Sequence, residues 1–233
     1  MTCDKIIAVE RKEYVEEILA LFDLTKGAAA PEILEKYLEK TLQLKFQRIL
    51  IPHEELKKEF VRYHEAFVNL LKFLQSKDNT LKMSLFSSDQ LAKFFFNQGI
   101  YALCKDNYLQ AGEKFQEAYK INRHNVFLLT YLGIILTVRK NYYAAEKYFA
   151  DAIHRDPNND DARFYAAQNF FKAGLYPKAS EYFEKAKQLN PTNNEIAFWL
   201  KDCREAMQKK TKRSEKDTLL RKIVTYFRNA FRE

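Results

Sequence analysis

The chain has 233 residues, 47% of them hydrophobic and 15% aromatic, with only five glycines, five prolines and a net charge of +8. So few helix breakers beside so much Leu, Lys, Glu, Ala and Phe predicts an ordered, all-helical protein with a substantial core. Three scattered cysteines (Cys3, Cys104 and Cys203) form neither a disulfide framework nor a metal-ligand spacing, and the amino terminus carries charges where a signal peptide would be apolar. The longest nearly apolar run, Leu128 to Val138, is too short to span a bilayer, so a cytoplasmic protein is expected.

Residues 1–86 read as an amino-terminal helical region without repeats. A first helix over Glu10 to Phe22 carries Val15, Ile18, Leu19 and Phe22 at helical spacing, and Lys26-Gly27 breaks it. Pro31 starts a second, through Leu34, Leu38 and Leu42, which Pro52 ends. From His53 to Gln75, Leu56, Phe60, Tyr63, Phe67, Leu70 and Leu74 alternate steps of four and three, a short heptad seam. Two readings follow: a homodimer made through these helices, or a helix laid on the flank of what comes next. The second is preferred, because fewer than three heptads rarely decide. Ser76 to Ser88 is a connector, with Asp78-Asn79 as its turn and Ser87 or Ser88 as a helix cap.

Residues 87–210 contain three copies of a 34-residue pattern. Tyr108, Tyr142 and Tyr176 stand at equal steps, as do Ala111/Ala145/Ala179, Phe115/Phe149/Phe183 and Ala118/Ala152/Ala186. Each copy predicts an A helix, a turn and a B helix, with small Gly99, Gly133 and Ala167 where helices approach closely. Pro157 and Pro191 follow B helices, while Arg123 takes that place in the first copy. The order and register of Gly, Tyr, Ala, Phe, Ala and Pro resemble the tetratricopeptide repeat. That resemblance implies tandem helix pairs in a right-handed superhelix, closed by a capping helix over Glu195 to Lys210, with Ile196, Trp199, Leu200, Cys203 and Met207 on one face.

In such arrays the second, fifth, ninth and twelfth positions of each A helix line a concave groove. Counting from Ala92, Val126 and Asp160, these are Lys93, Phe96, Ile100 and Leu103; Phe127, Thr130, Ile134 and Thr137; then Asp161, Phe164, Gln168 and Phe171. One subfamily grips acidic carboxyl termini with Lys and Asn at the fifth and ninth positions of its first repeat. Phe96 and Ile100 stand there in this chain, so that charge clamp is absent and the groove is expected to take an apolar segment.

The segment from Phe164 to Leu189, with its Ala-Ala pair and Lys-Ala-Gly turn, is similar to the third repeat of class II type III secretion chaperones. That resemblance implies a cytoplasmic chaperone whose groove holds part of a secreted translocator or effector, and dimerisation through amino-terminal helices. A longer amino-terminal region and a basic tail depart from that class. The alternative is a scaffold or adaptor whose basic tail touches a membrane or another subunit.

Residues 211–233 form that tail. From Lys209 to Glu233, nine Lys and Arg against three acids leave a surplus of +6. Leu219, Leu220, Ile223, Val224, Phe227 and Phe231 share one side of a predicted helix over Asp217 to Arg232, with basic residues largely on the others. It is expected to fold back as a further cap, to lie on an anionic membrane or to dock in a partner's groove, the cap being the leading reading.

No phosphate-binding glycine loop, zinc-hydrolase His pair or nucleophile with a base occurs. His53, His64, His124 and His154 are isolated, and Cys104 and Cys203 read as packing residues. The expectation is a non-catalytic protein-binding module without cofactor or metal, and without nucleic acid as partner, since the repeat body is nearly charge-balanced.

Overall fold

A computed structural model describes residues 13–25, 28–44, 54–77 and 86–230. All regular structure among them is helical: α1 (13–21), α2 (Ala30–Gln43), α3 (Glu54–Lys77), α4 (Ser88–Cys104), α5 (Tyr108–Ile121), α6 (Val126–Val138), α7 (Tyr142–Arg155), α8 (Asp160–Lys172), α9 (Tyr176–Leu189) and α10 (Asn194–Ala230). The all-α expectation and the tandem helix pairs hold. The turn expected at Asp78-Asn79, the helix end at Pro52 and residues 1–12 lie outside the described residues. Two compact units divide within α6, Met1–Ile135 and Leu136–Glu233.

In the first unit, α1, α2 and α3 close on one another before any repeat begins. Ile18, Phe22, Ile33, Leu34, Tyr37, Phe67 and Leu70 form their shared core, which Phe94 of α4 joins. The heptad seam of α3 is therefore consumed inside its own unit: Phe60, Phe67 and Leu70 are buried there. Pro31 sits in the first turn of α2, where its missing N–H costs no hydrogen bond. Ser87 caps α4, its hydroxyl accepting from the Gln90 N–H while the Gln90 side chain accepts from the Ser87 N–H.

A polar cluster ties these helices to α4. Asn97 donates to the Thr41 hydroxyl at 2.8 Å, and Tyr101 donates to Glu65 at 2.8 Å. His64 shares a 2.6 Å hydrogen bond with the Tyr37 hydroxyl and stacks on the Tyr101 ring at 4.5 Å. Burial disfavours the charged imidazole and pushes the His64 pKa down to about 4.

The repeats are punctuated by three ladders of short polar or left-handed residues. At the A-to-B turns Asp106, Lys140 and Gly174 take positive φ of 56°, 60° and 76°, at equal 34-residue steps. In each case the next residue's N–H then reaches back five residues: Asn107 to Ala102, Asn141 to Leu136 and Leu175 to Phe170, all at 2.8–2.9 Å. Asn107 and Asn141 cap their B helices, whereas the third copy relies on Gly174 and Pro177. At the B-to-A junctions Asn122, Asp156 and Asn190 end the B helices. Asn125, Asn159 and Asn193 open the helices that follow, each side chain accepting a backbone N–H.

The expected packing ladder is present. Ala111, Phe115 and Ala118 of α5, Ala145, Phe149 and Ala152 of α7, and Ala179, Phe183 and Ala186 of α9 are all buried. The carboxyl-terminal region differs from expectation. The capping helix and the amphipathic tail helix are one uninterrupted 37-residue helix, α10, because no glycine or proline lies between Asn194 and Ala230 to break it.

Two stability predictions follow. Because folded His64 is held neutral, the unfolded chain takes up a proton first as the pH drops below about 6.5. The resulting stability is complete above that pH and is lost as the pH falls towards 4, roughly 3 kcal/mol across the window. Urea unfolding at a series of pH values should show this, and His64→Gln should flatten the profile between pH 6.5 and 4. The second concerns Gly99, where an added Cβ would meet the Phe115 ring, at 2.6 Å from Cδ1 and 2.8 Å from Cζ. Phe115 is itself wedged against Phe96 and Tyr131 and cannot yield. Gly99→Ala should cost about 1–3 kcal/mol by overpacking, despite alanine's better helix propensity, readable as a lowered urea midpoint.

Candidate functional site

The predicted groove residues fall on the A helices as their register requires, but most are folded inward. In the first unit Lys93 is exposed and paired with Asp89 at 2.7 Å. Phe96 is half-buried, its ring 5.6 Å from Phe115 and 5.0 Å from Tyr131. Ile100 and Ile134 are buried, Thr130 is buried with its hydroxyl donating to the Val126 carbonyl, and Leu103 is half-buried. Only Phe127, 52% exposed, offers solvent a large apolar surface from this set.

The second unit shows the same retreat. Thr137 is buried and donates to Asn169 at 2.9 Å. Phe164 is buried against Phe183, and Gln168 is buried. Asp161 is half-buried. Phe171 is half-buried between Tyr176 and Trp199, with ring centroids 5.2 and 5.3 Å away. The physical reason is size: a large residue at the fifth or ninth A-helix position can reach its own B helix, and burial there is favoured over exposure. These A helices therefore present less apolar surface than the repeat register predicts.

What the second unit does present is built by α10. Ile196, Leu200 and Cys203 are buried, and Trp199 stacks on Phe183 at 5.8 Å with rings 15° apart. That seam fixes the rotation of α10, leaving Phe198 on the other side at 60% exposure. Further along the helix lies a cleft of about 560 Å³. Phe171, Gly174 and Tyr176 from the α8–α9 turn line one side, and Asp202, Glu205, Ala206, Lys209, Lys210 and Arg213 of α10 the other. Aromatic carbon forms the floor and charges of both signs form the rim, an arrangement suited to a peptide with an apolar side chain and a polar backbone.

Phe198, Asp202 and Glu205 were not predicted. Yet each stands 34 residues beyond a predicted position: Phe198 after Phe164, Asp202 after Gln168, Glu205 after Phe171. The period does not stop at Asn193, and α10 begins as a fourth A helix. Counting one period further would have found them.

Neither described cysteine sits where it could act as a nucleophile. Burial raises the Cys104 thiol pKa and pushes that of buried Cys203 up to about 11. Buried Cys203 should alkylate far more slowly than half-buried Cys104 and match it only in denaturant, as mass spectrometry after a timed iodoacetamide pulse would show.

Comparison with known proteins agrees with this architecture. Residues 136–197 match the tetratricopeptide repeat family. No curated protein matches the chain. Among solved structures the fold is similar to "MamA MSR-1 C2", at 15% identity over 75% of this chain and 87% of that one, with a TM-score of 0.51. It is also similar to the first TPR domain of human RPAP3, solved by NMR, at 18% identity over 52% of this chain and 96% of that one, TM-score 0.50. Identities this low speak for the fold alone.

Proposed function

We propose that this chain is a non-catalytic peptide-binding module, and that its second unit takes an apolar segment of a protein partner in the cleft between the α8–α9 turn and α10. The observation that carries the reading is Phe198. A large aromatic ring left 60% exposed one helical turn before Asp202, which lines the cleft, has the character of an anchoring surface. Among the described residues no group of His, Cys, Asp or Glu is arranged to hold a metal ion. The charged rim from Asp202 to Arg213 would fix the direction of the bound backbone, while Phe171 and Tyr176 receive the apolar side chain.

The class of partner follows from the resemblance of Phe164–Leu189 to the third repeat of type III secretion chaperones. On that basis the client is a secreted translocator or effector, held in the cytoplasm before export. An exposed apolar stretch of such a client would need cover until it is used.

The test uses a displayed library of short random peptides selected on the full chain. Selected sequences should be rich in aromatic and aliphatic residues. Phe198→Glu alone should weaken their binding by at least about tenfold, since it sets a charge where an apolar contact forms. Phe171→Glu should act in the same direction. Phe198 is mostly exposed, so its variant should keep the wild-type circular dichroism spectrum and melting temperature. Unchanged affinity in both variants would overturn the cleft as the binding site.

A further inference from the structure

The two halves of α10 present their apolar residues on opposite sides of one helix. Ile196, Leu200, Cys203 and Met207 make the seam that packs against the repeats, the first three of them buried. At about 100° per residue, that same line continues through Thr211, Ser214, Thr218, Arg221 and Thr225, so the apolar seam ends at Met207. A second apolar line begins at Leu219 and Leu220, the first apolar residues of the basic tail. It lies roughly half a turn away from the first. Leu219 and Leu220 are 59% and 50% exposed. Leu219 and Leu220 are thus left open to solvent, unlike the seam that the repeats cover.

We infer that the carboxyl-terminal half of α10 lies on an anionic lipid bilayer. The charge pattern selects this occupant. Between Lys209 and Glu233 the chain carries nine basic and three acidic residues. Lys209, Arg213 and Lys216 lie on the same side of the helix as the apolar stripe, one to three turns before it. A single helix side thus offers cations to headgroups and then exposed leucines to the acyl boundary, the pattern of a helix lying in the interface plane. Among the described residues no helix is long and apolar enough to cross a membrane, so the contact is with the surface. A second copy of the chain is a poor occupant, because pairing two such helices sets a +6 segment against its like.

The test is co-sedimentation of the full chain with vesicles of phosphatidylcholine alone or with about one-third phosphatidylglycerol. Binding should be at least about tenfold stronger to the anionic vesicles and should weaken as salt is raised. Leu219→Asp with Leu220→Asp should remove at least about tenfold of it. The leucine variant should still bind the peptides selected on the cleft, so failure here and failure of the peptide-binding reading are separable. Equal binding to the two kinds of vesicle overturns the inference, as does anionic binding that survives the leucine substitutions. Self-association of the wild type in analytical ultracentrifugation, lost in the leucine variant and accompanied by no vesicle binding, overturns it in favour of a second copy.

Discussion

Each B helix carries one phenylalanine that it cannot bury alone. Phe115, Phe149 and Phe183 are almost wholly enclosed. The enclosure comes from two directions. One side is the helix's own A partner, seen in the 5.6 Å approaches of Phe96 to Phe115 and of Phe164 to Phe183. The other side is an aromatic residue of the helix that follows: Tyr131 sits 4.8 Å from Phe115, and Trp199 stacks on Phe183. Burying such a ring contributes about 1.5–3 kcal/mol, and an uncovered one exposes the same area to water. The need for a successor helix therefore passes down the chain from copy to copy.

That need explains where the array stops and what the stop looks like. Phe183 is the last B-helix phenylalanine, and α10 covers it with Trp199 from the sixth position of a fourth A helix. Having done so, α10 has no B helix of its own to shield its other side. The residues at its fifth, ninth and twelfth positions, Phe198, Asp202 and Glu205, are thus released from packing, whereas their counterparts Phe164 and Gln168 are buried. The exposure of Phe198 is a product of that difference. At the start of the array the sixth position holds Asn97, which bonds to Thr41. A polar residue replaces an aromatic one there because its neighbours are α2 and α3, not a preceding B-helix phenylalanine.

The repeats were legible in the sequence because identical small and aromatic residues recur where every copy has the same packing problem. Helix ends were less legible. The Asn125/Asn159/Asn193 and Asn122/Asp156/Asn190 ladders are equally periodic, yet asparagine and aspartate are common in any loop and attract notice only once their side chains are seen capping. The groove was the least legible part. Register says which residues lie on a given helix side, but it does not say whether a ring at that place reaches outward or folds onto its own B helix. Phe164 and Phe171 are both apolar A-helix positions, and only the second borders open space. Packing decides that, residue by residue, and periodicity is silent on it.

The tail shows the same limit from the other direction. Its amphipathic pattern was evident from sequence, and a soluble chain ordinarily folds such a face onto itself. What the pattern alone could not show is phase relative to the preceding helix. Had a proline or glycine stood near Lys210, a hinge could have rotated the second stripe back onto the repeats. None does, and residues 194–230 form one continuous helix with one register. Under that constraint the two apolar lines are separated by the helix itself. Leu219 and Leu220 therefore stand away from the surface that holds Ile196 and Leu200, and half or more of each side chain meets solvent.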